Sequence, residues 1–478
     1  MLQYSLPEFE CVPTIFLRFY PDMPNKISLF ILFLDVISFL ISHLAATFRG
    51  FADFYSHNIY RYVSLAVSSI TGLLPFSLTE LLLYALIIFV IWDFVKQLSN
   101  SVKIFINSKD KASVSVSENN ASVLRKSLKP MVLFARHIFF TASILFILYV
   151  FNCGINYRRT SFSSEAGITG YDSQRNIPSE TMNTGDTSTS QNDEDYGLVE
   201  LCTYLVENIN LTEEKLLESS QMSNDTTLAS GLYNGNEHPV ISGSESQNRG
   251  DYGYDLPLSP IKLYNGAYLG ETSASERASV TYLWETGKLG QKAMESLGTR
   301  FSRLSGHYPF PKPLINSWIL SIQQVTGVYS PFTIEANYNR DIPYYDIPFT
   351  ICHELSHLRG YMQEEEANFI AVLATVGSED LYFNYSGFVS AWVYAGNALA
   401  KTDREKFSEL YMKINPYTRQ DMMYNNEFWN RYDTKVAEVH EEINDTYLKY
   451  NGQTQGVKSY GHVVDLMLTY FSENRSLK

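Results

Sequence analysis

Three long apolar runs occupy the first third of this 478-residue chain, and they constrain its architecture more than anything else in it. They cover about Ser28 to Phe48, Leu81 to Val95 and Met131 to Phe151. Each is near the roughly 20 residues an α-helix needs to cross a bilayer's hydrocarbon core. The charged Asp35 and Arg136 lie close enough to the ends of their runs for their side chains to reach the interface. The segment between the second and third runs carries Lys96, Lys103, Lys109, Lys111, Arg125, Lys126 and Lys129, against only Arg49 and Arg61 between the first and second. Basic loops stay in the cytoplasm, so three crossings leave the N-terminus inside and everything after about residue 152 outside. Arg158 and Arg159, just past the third run, pull weakly the other way.

The remaining sequence is soluble in character. A net charge of -14 argues against a nucleic-acid partner. The four cysteines, Cys11, Cys153, Cys202 and Cys352, lack metal-type spacing and suggest no disulfide framework. Two stretches, Thr160 to Gly197 and Glu218 to Asp255, are rich in Ser, Thr, Asn, Gly and acids, too polar to bury a core. The expected organisation is a membrane domain over 1–152, a loosely ordered linker over 153–258 with one helix near 198–217, and a folded domain over 259–478. In the last, a long helix is expected over 271–302, β-structure within 315–330 and 332–338, and helices near 348–359, 364–376, 384–400, 402–414, 424–450 and 459–473. A small early sheet followed by helices makes the fold class α+β.

The run His353-Glu354-Leu355-Ser356-His357 carries the chemistry. On a helix, residues four apart share a face, so both imidazoles can hold one metal ion, with Glu354 beside a water on that ion. Pro348 is placed to start the helix, and Gly360 to end it in a left-handed conformation. Catalytic zinc sites have three protein ligands. Glu364 is the first choice for the third, because it shares a helix face with Asn368, which can hydrogen-bond a ligand histidine. Glu366 is the next candidate. Acids in a first helical turn also suit the helix dipole without any metal.

Other residues fit around that centre. Zinc peptidases often use an edge strand to pair with the substrate backbone, and Ser330 to Asn339 is a candidate for it, or an ordinary core strand. Glu335 in this segment is a supporting acid behind the ligands or a surface group. Candidate donors to an oxyanion are Tyr460, His462, His440, Tyr447 and Arg340. Cys352, next to the motif, reads as a small buried side chain.

The segments GVYSPFTIEANYN at 327–339, IPFTICHELSHLRGYMQEEEANF at 347–369 and NGQTQGVKSYGHVVDLML at 451–468, with LLPFSLTELLLY at 73–84, resemble the bacterial domain-of-unknown-function 3810 family. That resemblance implies a membrane-anchored, gluzincin-like zinc metallopeptidase, with His353, His357 and Glu364 as ligands and Glu354 as base, and it implies no substrate. Many gluzincins have Asp where Asn368 stands here, which leaves the support behind the histidine neutral. The expected molecule is a membrane-tethered zinc (Zn2+) endopeptidase with a zincin-like, extracytoplasmic catalytic domain, acting on a peptide or protein substrate and embedded in a lipid bilayer. The competing reading is a non-catalytic metal-binding sensor or interaction module on the same fold. An intramembrane protease is disfavoured, because the flanks of the motif, DIP and RGYMQEEE, are too polar to span.

Overall fold

The computed structural model describes residues 25–112, 120–168, 189–223, 280–451, 453 and 462–478. Most of both low-complexity stretches and the candidate Tyr460 lie outside these residues. The N-terminal part comprises α1 (Asn25–Thr47), α2 (Arg49–Tyr55), α3 (Arg61–Thr71), α4 (Leu78–Ala112) and α5 (Asn120–Tyr149), with a π-helical turn at Ser56–Tyr60. Among the described residues, α1, α4 and α5 are long and apolar enough to cross a membrane. Their surfaces support that reading: Phe30, Phe39, Ile88, Trp92 and Val132 all face outward. Exposed large apolar side chains in such number suit a lipid environment.

Contacts divide the chain into two compact units: Met1–Thr47 with Ile87–Phe151, and Phe48–Leu86 with Asn152–Lys478. In the first unit, the buried Asp93 carboxylate accepts hydrogen bonds from Gln97 Nε2 at 3.0 Å and His137 Nδ1 at 2.8 Å. Polar groups inside apolar helices are satisfied by one another in this way.

The second unit adds α6 (Thr189–Ser223), α7 (Val280–Arg300), α8 (Asp346–His357), α9 (Glu364–Val376), α10 (Leu381–Thr402), α11 (Arg404–Lys413), α12 (Pro416–Asn430), α13 (Lys435–Tyr450) and α14 (His462–Asn474). Its sheet contains β1 (Lys312–Pro313), β2 (Gly327–Ser330) and β3 (Glu335–Tyr338) in the order β1-β3-β2. β1 runs parallel to β3, and β2 runs antiparallel to it with Val328 opposite Asn337. Helix α8 lies against β2 and β3 on one side and against α7, α9 and α10 on the others. Its apolar residues Ile347, Ile351, Cys352 and Leu355 are buried there.

Several boundaries differ from expectation for physical reasons. Residues 48–86 group with the residues from 152 onward rather than with the long apolar helices, so the chain passes between the units at 47/48 and 86/87 as well as at 151/152. Two carboxylates hold this segment. The buried Glu335 accepts from the backbone N–H groups of Leu78 (3.1 Å) and Thr79 (2.8 Å), satisfying free donors at the start of α4. Glu80 accepts in return from the N–H groups of Ile315 and Asn316, both at 2.8 Å. Glu335 therefore supports a helix end, not a metal ligand. Helix α6, expected alone in a linker, buries Leu201, Cys202, Leu205, Ile209 and Leu216 and packs along α10. The single helix expected over 424–450 is two, α12 and α13, because Thr434 is extended.

Candidate metal centre

Helix α8 begins two residues before Pro348, which keeps that proline in the first turn, where its missing N–H costs nothing. The next N–H, of Phe349, donates to Ser386 Oγ on α10 at 3.1 Å. At the other end Gly360 has φ +82°, and its N–H bonds back to His357 O at 2.9 Å. A Cβ there would also come within 2.9 Å of Ser56 Oγ, so glycine is required twice over. The turn delivers the chain to α9, whose first residue is Glu364. One ligand atom from each of His353, His357 and Glu364 lies within 4.8 Å of the others.

Both histidines are held through their Nδ1 atoms. His353 Nδ1 meets Asn368 Oδ1 at 2.8 Å, and His357 Nδ1 meets the carbonyl oxygen of Tyr361 at 2.7 Å. A carbonyl only accepts, so each Nδ1 donates a proton, and Nε2 is the nitrogen left to bind a metal. His353 Nε2 stands 3.3 Å from Glu364 Oε2. Two imidazoles locked by outer hydrogen bonds and one carboxylate form a donor set that fits zinc. Burial alone would lower the His353 imidazole, but Glu364, together with Glu354 and Asn368, outweighs it and raises the group to about 9. Burial and the His353 charge push His357 down to about 4. Burial would raise the Glu364 carboxyl, and the hydrogen bond and charge of His353 bring it below the ordinary carboxylate value.

Glu354 is buried beside this set, and its Oε2 has no hydrogen-bond partner among the described residues. Burial raises its carboxyl to about 8, against a smaller downward pull from His353 and from a hydrogen bond donated by the Tyr329 N–H. Strand β2 thus touches Glu354 directly. A Cβ on Gly327 would come within 2.5 Å of Glu354 Oε1 and 2.7 Å of its Cγ. The strand next to the site is β2, at the sheet edge. The expected segment, 330–339, supplies β3 instead, which is central and buried throughout.

The structure separates the remaining candidates. Glu366 points away from the histidines: its carboxylate accepts from Ser163 N (3.0 Å) and Ser163 Oγ (2.7 Å), so it holds a distant segment in place. Glu365 is bonded by Gln453 Nε2. Arg340 donates to the carbonyl of Ile315 at 2.9 Å and does not line the site. His440 and Tyr447, on α13, do line it, and His462 does not. Tyr394 of α10 also lines it, in the field of Glu364, and sequence reasoning passed over it because nothing local ties residue 394 to the motif.

Behind the centre, buried Arg159 grips the turn that follows α8. Its Nη1 donates to Arg359 O at 2.8 Å and to Ser56 Oγ at 2.9 Å, and its Nη2 donates to Glu165 Oε2 at 2.8 Å. The guanidinium lies 4.1 Å from the centre of the Tyr361 ring, and Tyr361 OH donates to the same Glu165 oxygen at 2.5 Å. The carbonyl that orients His357 is therefore fixed by residues far away in sequence.

In front of the centre is a cleft of about 860 Å³, large enough for several residues of an extended chain. None of the described residues lining it is Lys or Arg, whereas Asp346, Asp433, Glu438 and Glu441 all line it.

A family model described as "Protein of unknown function (DUF3810)" matches residues 55–468. No curated protein and no solved structure matches the chain.

Proposed function

We propose that this chain, which belongs to the DUF3810 family, is a membrane-tethered zinc-dependent endopeptidase of zincin type, working outside the cytoplasm. One observation carries the reading: His353, His357 and Glu364 converge with both Nδ1 atoms occupied, and the unpartnered Oε2 of Glu354 lies beside them. Zn2+ held by His353 Nε2, His357 Nε2 and the Glu364 carboxylate would polarise the scissile carbonyl and make water acidic enough to be activated at neutral pH. Glu354 takes a proton from the attacking water at Oε2 and passes it to the leaving amine. Asn368 Oδ1 and Tyr361 O hold the imidazoles in the tautomer this requires. The outer edge of β2 and the wall of α13 hold the peptide in an extended form. Tyr394, His440 and Tyr447 face the same cleft and can donate to the oxyanion.

Placement outside the cytoplasm rests on the basic residues in the later part of α4 and the first turns of α5, Lys96 to Lys129. The composition of the second unit fits three crossings in either orientation. Three crossings put residues 48–77 and the residues after 152 on the same side, and these two stretches pack together. A metal sensor would need the three ligands but has no use for an unpartnered buried carboxylate, which favours hydrolysis.

The test is the zinc-loaded full chain in detergent micelles, presented with a mixed peptide library. We expect hydrolysis that a chelator abolishes and zinc restores. A stoichiometrically zinc-loaded protein that cuts nothing would leave a metal-binding module instead. Glu364→Ala should lower the zinc content, and an unchanged stoichiometry and affinity would take the third-ligand role from Glu364.

A further inference from the structure

Helix α8 presents Asp346, Phe349, Thr350, His353 and His357 to the cleft, at the spacing of one helical face. Asp346 lies two turns before His353, about 10 Å along the axis at 1.5 Å per residue. An acid in a first turn usually serves the helix end. This one does not: no side chain caps the N-terminus of α8. Pro348 has no N–H to offer, and the Phe349 N–H is taken by Ser386 Oγ. Among the described residues the Asp346 carboxylate has neither a hydrogen bond nor a cationic partner. Burial with nothing to offset it holds that carboxyl up at about 7.

The surroundings form a side-chain pocket. The Phe349 and Tyr394 rings stand 6.3 Å apart, with Val393 beside them. Ser390, one turn before Tyr394 on α10, is 5% exposed and lines the same cleft, and its Oγ has no partner among the described residues. Aromatic and aliphatic walls accept an alkyl stem. An unpaired carboxylate and a free hydroxyl then await its charged tip.

The geometry points to a specificity pocket in which Asp346 and Ser390 receive the cationic tip of a basic residue, so that the substrate is a peptide with a lysine-like or arginine-like side chain close to the scissile bond. This rests on the endopeptidase reading of the same site. The span from His353 to Asp346 matches one or two extended residues plus a long side chain. The acids across the cleft, Asp433, Glu438 and Glu441, add a field of the same sign and no competing cation.

The test moves one lysine through every position of a neutral, dye-labelled peptide, with norleucine and glutamate as replacements. Two readouts are taken on the full chain in micelles: binding by anisotropy to metal-free protein, and hydrolysis by zinc-loaded protein. We expect lysine at one register to exceed norleucine about tenfold in both, the size of a charge-assisted bond. The lysine-to-norleucine ratio should fall to about one in Asp346→Asn. Selective binding without hydrolysis keeps the pocket and removes the endopeptidase. Hydrolysis with equal rates for lysine and norleucine overturns the pocket and leaves the endopeptidase standing. A lysine preference that survives Asp346→Asn in protein of wild-type zinc content overturns it as well, as does the absence of any bound peptide. The wild-type comparison needs no variant, so a poorly folded Asp346→Asn protein cannot obscure the outcome.

Discussion

Asn368 reaches His353 through Nδ1 at 2.8 Å, and this one hydrogen bond decides which ring nitrogen faces the cleft. Because the partner is a neutral amide, it orients the ring with less electrostatic help than a carboxylate would give. Asn368→Ala should lower zinc affinity by about 10–100-fold, measured by competition with a chromophoric chelator; an unchanged affinity would mean the ring is oriented by packing alone. Gly327 makes a second prediction at this scale. Its missing Cβ leaves room for Glu354, so Gly327→Ala should lower kcat while zinc content stays at the wild-type level. Undiminished kcat would show that Glu354 is free to move aside. The pair His353 and His357 was legible in the sequence, because i and i+4 share a face wherever a helix forms. The choice between Glu364 and Glu366 was weighed in sequence on helix faces alone. What removes Glu366 is Ser163, 203 positions earlier in the chain and visible only once the chain is folded.

At the scale of elements, the site is a helix, a turn and a second helix set against an edge strand. The extents of α9 and α14 follow closely from local signals, an acidic first turn and an apolar periodicity. The role of β2 does not, because four residues give too little pattern to distinguish an edge from a centre. The turn between α8 and α9 depends on buried Arg159, with Glu165 at 2.8 Å as its counter-charge. Arg159→Ala would take this counter-charge from Glu165, leaving it His57 Nε2 at 2.8 Å and Tyr361 OH, and would leave the Arg359 carbonyl without this donor. We expect a loss of about 2 kcal/mol, seen as a lower Tm in micelles. The Tm should recover in part in the double variant Arg159→Ala/Glu165→Ala. A single variant as stable as wild type would show that the network does not hold the turn.

At the scale of the whole molecule, hydropathy alone located the three helices long and apolar enough to cross a membrane, since composition over some 20 residues needs no tertiary information. It could not show that residues 48–86, lying between two of them, belong with the unit that brings His353, His357 and Glu364 together. That assignment arises from the carboxylates of Glu335 and Glu80, each closing on backbone donors more than 200 positions away. The topology makes its own prediction. A C-terminal epitope tag should be removed by protease added to intact cells, and a tag inserted after Ala112 should be protected. The reverse pattern would place the site in the cytoplasm.

The central claim is that Glu354 acts on water at a metal held by its neighbours. Glu354→Gln preserves shape while removing the base, so metal binding and turnover separate in a single preparation. The decisive measurement is zinc stoichiometry and peptide hydrolysis on the same sample of this variant beside the wild type. The account predicts one zinc per chain in both proteins, with hydrolysis reduced about 100-fold or more in the variant. Hydrolysis at the wild-type rate, with zinc bound, would contradict it.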